Sequence, residues 1–424
     1  MIRWIRERLG TAPHDALGEG TWLLLDARHL VDKGGNPAEP IRKLIEEGTQ
    51  AYRQGKSVVV ACDFGISRSN AIAAGILSLA ENKPYDRAVQ EVVDATAERE
   101  IKLDLVEAVR LALGEVRPQA DRRTVLVTGA TGFIGRYLVA RLQDTHRVVG
   151  PPKEVLNLQN GAVNLANYCA RESIGQIIHL AYPREYTNVA AAASSVMMLR
   201  TVLDTCRLLK IRLVFISGWV VFSGYPTEAM VADEATALRP KGVYGETKYI
   251  EEMLVDLHYR RGDVDRSICR LSPVYGPGGQ RPRFIQTFHQ AISRKDIVTT
   301  HRFRNGRPAL DLLYVTDAAE ALTAVAAWPK SDVFHFGTGV LHSTAELATI
   351  IGNLSGHAVR QQEIEIDEFT SNIAFPSDKA RTLLNWSAKV RVEDGLANML
   401  PDPRGENPDV VQSLRQTGFR PNGR

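Results

Sequence analysis

At 424 residues the chain is too long for one ordinary core, and 44% hydrophobic with 24% charged residues is a globular balance, which excludes disordered and fibrous classes. Its 52 basic and 49 acidic side chains leave a net charge of only +3, so no polyanionic partner is expected and nucleic acid binding is not suggested. Cys62, Cys169, Cys206 and Cys269 are widely spaced and form no CxxC pair, which argues against a disulfide framework or a metal site and for a reducing cytoplasm. The opening MIRWIRERLG is charged with no apolar segment behind it, and no stretch is read as approaching the roughly 20 apolar residues of a membrane helix. A soluble, unexported protein without membrane partners is expected.

Apolar periodicity predicts a strand at Trp22 to Leu25, a helix near Ile41 to Arg53, a strand at Ser57 to Ala61 and a helix from about Asn70 to Glu81. Helices at Asp86 to Thr96 and Lys102 to Leu113 follow, and the polar run from Arg117 to Arg123 then breaks the pattern. This gives a small α/β domain over 1–118 and a second domain over 122–400. In the latter, strands at Thr124 to Val127, Arg147 to Val149, Gln176 to Ala181 and Leu213 to Ser217 alternate with helices at Phe133 to Leu142, Val163 to Arg171 and Ser194 to Leu209. Such alternation needs a parallel sheet with helices on both faces. The Pro-, Gly-, Asn- and Arg-rich stretch 401–424 is expected to be a loose tail.

In the first domain an apolar strand ends at Cys62, five residues follow, and Arg68 and Ser69 then open a helix. That spacing can curl the backbone into a nest whose N–H groups surround a phosphate while Arg68 clamps its oxygens, and the same positive field favours a thiolate able to attack phosphorus. The segment Ala61-Cys62-Asp63-Phe64-Gly65-Ile66-Ser67-Arg68-Ser69 is similar to the signature of the dual-specificity and tyrosine phosphatases, over about Ile5 to Leu113. The resemblance implies Cys62 as nucleophile, Arg68 as phosphate clamp, Ser69 assisting departure of the thiolate, and Asp32 as general acid in preference to Asp26. It also implies that Tyr85 to Arg99 is the helix following the site. Ala61 stands where that family has a His, which implies a slower enzyme or a phosphate-binding relic.

In the second domain Val125-Leu126-Val127-Thr128-Gly129-Ala130-Thr131-Gly132-Phe133-Ile134-Gly135 runs from an apolar strand through three glycines into an amphipathic helix. A backbone that turns sharply and approaches a pyrophosphate has no room for a Cβ, and the helix start offers its N–H groups to the anion. Further on, Tyr244 and Lys248 stand four apart, on one face of a helix, where a cation can bring a phenol toward acid–base work.

Together these residues resemble the extended short-chain dehydrogenase/reductases, which the similarity identifies over about Thr124 to Met399. Ile177-Ile178-His179-Leu180-Ala181, Arg270-Leu271-Ser272-Pro273-Val274-Tyr275-Gly276-Pro277-Gly278 and Asp311-Leu312-Leu313-Tyr314-Val315-Thr316-Asp317 extend the match. Phe334 to Gly339, and Asp378-Lys379-Ala380 through Leu384-Asn385-Trp386, match that family's C-terminal lobe. Val243-Tyr244-Gly245-Glu246-Thr247-Lys248 is similar to the dTDP-4-dehydrorhamnose reductase branch. The resemblance implies a Rossmann-type doubly wound sheet with a smaller C-terminal substrate lobe, NAD or NADP as cofactor, and a nucleotide-linked or phosphorylated sugar as substrate. A homodimer is compatible with it.

The resemblance further implies Tyr244 and Lys248 as catalytic, and Gly129, Thr131, Gly132, Phe133, Ile134, Gly135, Ala181 and Pro273 with the Tyr–Lys pair at the cofactor. Gly218 fills the family's Ser/Thr slot, leaving Ser217 or Ser223 to substitute. Ser195 and Pro273 each replace a usual Asn, and Leu310 an Arg that contacts the sugar diphosphate, which points away from an ordinary hexose nucleotide. No acid follows Val148-Val149, so strict NAD use is disfavoured, and Arg136 with Lys153 could balance a 2′-phosphate, a lean to NADP. The expectation is a bifunctional enzyme: an epimerase, dehydratase or reductase of sugars with an N-terminal phosphatase. The alternative is a chain in which one or both halves have become a cofactor-sensing or phosphate-binding scaffold.

Overall fold

A computed structural model describes residues 1–98, 101–117, 119–280 and 282–400; the expected tail at 401–424 lies outside the described residues. The chain divides into two compact units, one of residues 1–120 with 156–173 and 200–209, the other of residues 121–155, 174–199 and 210 onward.

The first unit opens with a hairpin that periodicity did not reveal, β1 (Arg3–Arg6) and β2 (Leu9–Pro13). After it come β3 (Trp22–Asp26), α1 (Ala38–Arg53), β4 (Ser57–Cys62), α2 (Arg68–Glu81), α3 (Tyr85–Thr96) and α4 (Leu103–Ala112). The sheet order is β1-β2-β4-β3, with β4 parallel to both neighbours, and the run Val58 to Cys62 is therefore buried throughout. Helix α2 is buried from Arg68 to Ser78, and its small residues allow α1 to come close. A Cβ on Gly75 would stand 2.6 Å from Ile45 Cδ1, and one on Gly48 2.4 Å from Ile76 Cδ1. The turn from Cys62 to Arg68 is thus anchored at both ends in the core.

The second unit begins with β5 (Asp121–Thr128), which starts inside the polar run expected as a linker. In chain order come α5 (Phe133–Leu142), β6 (Arg147–Val149), α6 (Ala162–Arg171), which is counted with the first unit, β7 (Ile174–His179), α7 (Val189–Leu209), whose residues 200–209 are also counted with the first unit, and β8 (Arg212–Gly218). Next are β9 (Thr227–Val231), α8 (Gly242–Arg260), β10 (Arg266–Leu271), β11 (Val274–Tyr275), α9 (Arg283–Ser293), β12 (Ile297–Phe303), β13 (Ala309–Leu310), β14 (Leu313–Tyr314), α10 (Val315–Ala327) and β15 (Asp332–Phe336). The main sheet runs β15-β10-β8-β7-β5-β6 with every pair parallel. Strand order reverses between β5 and β7, and the crevice at such a reversal, at the carboxyl ends of the strands, is where doubly wound folds take ligands.

Four smaller strand pairs form around it: β9 with β18 (Ser371–Ala374), β11 with β14, β12 with β17 (Arg360–Ile366), and β13 with β16 (His342–Ser343). Buried Asp311 ties these pieces together, accepting from the backbone N–H groups of Thr338 at 2.8 Å, Phe375 at 2.9 Å and Gly339 at 3.1 Å. One reading from composition needs correction: α7, 21 residues long, is apolar and long enough to cross a membrane. It joins adjacent parallel strands β7 and β8, the place of a crossover helix, and crossover helices pass that same test because their inner face is apolar.

Candidate functional site

At the reversal point, β5 runs into the glycine turn. Gly129 has φ of +75°, a conformation that disfavours any Cβ, and one placed there would lie 2.9 Å from Ala181 N. A Cβ on Gly135 would stand 2.2 Å from Gly129 O, so the turn closes only on glycine, and Gly132 caps the start of α5. Thr131 is exposed at the tip, while Phe133 and Ile134 are half-buried in the first turn. Ala181 N–H donates to Thr128 Oγ1 at 3.3 Å, which fixes the neighbouring strand end against the turn. This cradle, open to backbone approach and facing a helix N-terminus, fits a dinucleotide pyrophosphate. Val149 ends β6 and Gly150 follows, so no carboxylate stands at that strand end; Lys153 is exposed and Arg136 half-buried.

Tyr244 and Lys248 lie in the first turns of α8. Lys248 Nζ donates to Ile216 O at 3.2 Å, and it lies 4.5 Å from the Tyr182 ring centroid and 4.8 Å from that of Phe215. The Tyr244 ring packs edge-on to Tyr182 at 5.2 Å and against Tyr186 at 4.8 Å. Burial, and after it the charge of Glu251, pushes the Tyr244 phenol up to about 12, which keeps it a proton donor at neutral pH. Ser217, at the end of β8, is buried and its Oγ has no hydrogen-bond partner among the described residues, the condition of a hydroxyl kept for a ligand.

A model of the NAD dependent epimerase/dehydratase family matches residues 125–337, a span that holds the glycine turn, Ser217, Tyr244 and Lys248. The chain belongs to this family. It resembles UDP-glucose epimerase YtcB of Bacillus subtilis, named as uncharacterized, at 26% identity over 309 residues, covering 65% of this chain and 96% of that one. It is 24% identical over 316 residues to UDP-glucuronic acid decarboxylase 1 of Arabidopsis thaliana, covering 67% of this chain and 70% of the relative. Among solved structures, Thermus thermophilus UDP-glucose 4-epimerase in complex with NAD superposes with a TM-score of 0.57 at 22% identity, over 65% of this chain and 97% of that one. Bacillus anthracis dTDP-glucose 4,6-dehydratase in complex with NAD gives 0.57 at 19%, over 65% and 94%.

Within this epimerase/dehydratase unit the structure distinguishes the two serines that sequence left open. Ser223 Oγ accepts from Lys241 N at 2.9 Å and donates to Lys241 O at 3.2 Å, so that hydroxyl is committed to a turn. Ser217 is the uncommitted one. A Cβ at Gly218 would stand 3.2 Å from Leu271 O, so β10 crowds the slot that a family Ser or Thr would use. Pro273 is half-buried and its carbonyl accepts from Leu313 N at 3.0 Å. Sequence reasoning missed Tyr182, Tyr186 and Glu251; only Glu251 carried a signal, three residues past Lys248 on one helix face.

The family model begins at residue 125, beyond the cysteine loop of the first unit. There Cys62 Sγ lies 3.4 Å from Ser69 Oγ. Burial works to raise the Cys62 thiol, but the Ser69 hydroxyl and the N–H groups of Ser69, Ile66 and Gly65 outweigh it, and the thiol falls below its ordinary value. Cys169, Cys206 and Cys269 are all pushed up by burial. Gly65 has φ of +66°, and a Cβ there would lie 2.4 Å from Ala12 C, so the loop turns against β2. Buried Arg68 donates to Arg28 O and Leu30 O at 3.1 Å each, pairs with Asp63, and has Nε 3.4 Å from Asp32 Oδ2. Asp26 instead holds Arg28 at 2.7 Å. The expected quartet Cys62, Arg68, Ser69 and Asp32 therefore does come together around one turn.

Proposed function

We propose that the second unit is an NAD(P)-dependent enzyme that epimerises, dehydrates or reduces a sugar linked to a nucleotide. The observation that carries this is the convergence, at one sheet reversal, of a glycine-only turn, the Tyr244–Lys248 pair and the unpartnered Ser217 hydroxyl. The UDP- and dTDP-sugar enzymes among its relatives support the substrate class. The turn from Gly129 to Gly135 would hold the pyrophosphate, with Ala181, Pro273 and Lys248 beside the rest of the dinucleotide, which supplies hydride transfer when bound. Ser217 donates to the sugar oxygen. Tyr244 exchanges the proton of that same oxygen, and Lys248 supplies the positive charge that steadies the phenolate.

The test is incubation of the full chain with NAD or NADP and UDP-glucose, UDP-galactose, UDP-glucuronic acid or dTDP-glucose, followed by chromatography of the nucleotide sugars. Conversion by wild type and its loss in Tyr244→Phe support the reading. No conversion of any of them, with the dinucleotide bound, rejects it. The lean to NADP rests on the missing acid after Val149 and on Arg136 with Lys153, and is read in the same tubes from the two affinities.

A second activity is favoured by the cysteine loop: we infer that the first unit hydrolyses a phosphate monoester. Cys62 attacks phosphorus, Arg68 and the loop N–H groups hold the oxygens, Asp32 protonates the leaving oxygen, and water then cleaves the thiophosphate. Ala61, in place of the family histidine, removes support and no reacting group. Release of phosphate from an aryl phosphate, inhibited by vanadate, is the expected result; none above the Cys62→Ser background rejects it.

A further inference from the structure

The Tyr–Lys pair has a neighbour that neither motif includes. Glu251 is 1% exposed and Ser195 fully buried, yet both are polar. Glu251 Oε2 lies 2.8 Å from Lys248 Nζ, and Ser195 Oγ donates to its other oxygen, Oε1. A carboxylate removed from water this completely needs a partner charge and a hydrogen bond: Oε2 has the ion pair with Lys248 and Oε1 the hydrogen bond from Ser195. The neighbouring carboxylate, Glu252, serves elsewhere: it takes Arg270 in a buried bidentate pair at 2.7–3.1 Å. Among the described residues, Glu251 is thus ion-paired with Lys248.

We propose that Glu251, seated by Ser195, is a positioning residue for the Tyr244–Lys248 pair: it holds the ammonium beneath Ile216 O and sets the pH range in which Tyr244 exchanges its proton. The inference rests on reading Tyr244 as the proton-exchanging group. A lysine one helical turn from the phenol with no counter-charge would add one net positive charge to its surroundings and favour phenolate. With Glu251 buried at 2.8 Å the pair is neutral overall, and the phenol retains its proton. The other groups facing this point are His179 at the end of β7, and Tyr182 and Tyr186 in the segment after it. Burial holds His179 neutral, with Nδ1 2.8 Å from Thr128 Oγ1, so it adds no charge near neutrality. Tyr182 is pushed up by burial to about 12 and is also neutral there.

The experiment follows Tyr244 directly, without substrate, by nuclear magnetic resonance on the full chain carrying isotope-labelled tyrosine, the Tyr244 signal being assigned by its loss in Tyr244→Phe. Glu251→Gln keeps the shape and removes the charge. Its Tyr244 midpoint is expected to fall by about half a pH unit or more. A midpoint equal to wild type overturns the proposal. Should Glu251→Gln fail to fold, Glu251→Asp carries the test on the same signal: the carboxylate withdrawn by one methylene weakens its field, the midpoint falls by a smaller amount, and an unmoved midpoint again overturns it. The pH–rate profile of nucleotide-sugar conversion should shift with the midpoint in the same direction. Absence of conversion by wild type would instead reject the assigned activity, leaving the titration to decide the role of Glu251.

Discussion

At its candidate site each unit of this protein holds a cation with a carboxylate partner, but the partners differ in one physical respect. Asp63 on Arg68 is about half exposed at its side chain, 51%, whereas Glu251 on Lys248 is 1% exposed. An exposed carboxylate can swing into water at little cost and surrender its cation to an arriving anion. A buried one cannot leave without stranding a charge in the interior, at a cost of several kcal/mol. On the functions proposed above, Arg68 is then a clamp that Asp63 can vacate for an arriving phosphate, and Lys248 is part of a fixed charge pattern near a phenol.

The largest expected effects separate the two units. Cys62→Ser should abolish phosphate release while leaving nucleotide-sugar conversion intact, and Tyr244→Phe should lower conversion by about 10²–10⁴-fold while leaving phosphate release intact. Measuring both activities on both variants would break the comparison if either substitution silenced both. Next in size is the glycine turn. Gly135→Val places a Cβ 2.2 Å from Gly129 O, so the turn must open, costing roughly 1–3 kcal/mol of stability and the dinucleotide affinity with it. Calorimetric titration with NAD checks this, and unchanged affinity would move the cofactor elsewhere.

Acid should expose a further difference. His335 is buried between Arg270, whose Nη1 is 3.0 Å from its Nε2, and Ala232 O, and burial followed by the Arg270 charge pulls it down to about 3. His179 falls to about 4 from burial. Both lie in the second unit. A histidine whose folded pKa is depressed contributes stability that is full above its unfolded value near 6.5 and is lost as pH falls toward the folded value, because the unfolded chain takes the proton first. At pH 5 the loss is roughly 2 kcal/mol for each. The Tm of the second unit should fall between pH 7 and 5, and His335→Gln, less stable at pH 7, should show a shallower fall; an equal fall would assign the acid sensitivity to other groups.

Much of this was legible in sequence because it depends on neighbours along the chain. The glycine turn, the Cys62-to-Arg68 loop and the Tyr244–Lys248 step are each set by short spacings, and each forms as the spacing requires. Local patterning did not show β1 and β2, because Trp4 is exposed and Gly10 interrupts the alternation; that hairpin is set by pairing with β4. The polar run also misled: Asp121 to Arg123 are exposed, yet they open β5, with Asp121 paired to Ile174 across a register irregularity. The Glu251–Ser195 contact was hidden for a different reason, since 56 residues separate the partners and only the packing of α7 on α8 joins them.

The smallest expected effect bears most directly on the contrast between the two carboxylates. If Asp63 is a removable occupant of the Arg68 clamp, Asp63→Asn should tighten vanadate, because the guanidinium then gives up a neutral amide in exchange for the anion. A half-exposed ion pair is worth about 0–1 kcal/mol, so the gain in affinity is at most about fivefold. Salt should matter as well: the wild-type and variant affinities should converge as ionic strength rises, since screening weakens an exposed pair first. Two carbonyl acceptors on Arg68, those of Arg28 and Leu30, and the Asp32 carboxylate 3.4 Å from its Nε remain in the variant and keep the guanidinium in place. A loss of vanadate affinity in Asp63→Asn would mean that Asp63 holds Arg68 in its working position, as Glu251 is proposed to hold Lys248, and the two cations would then be managed alike.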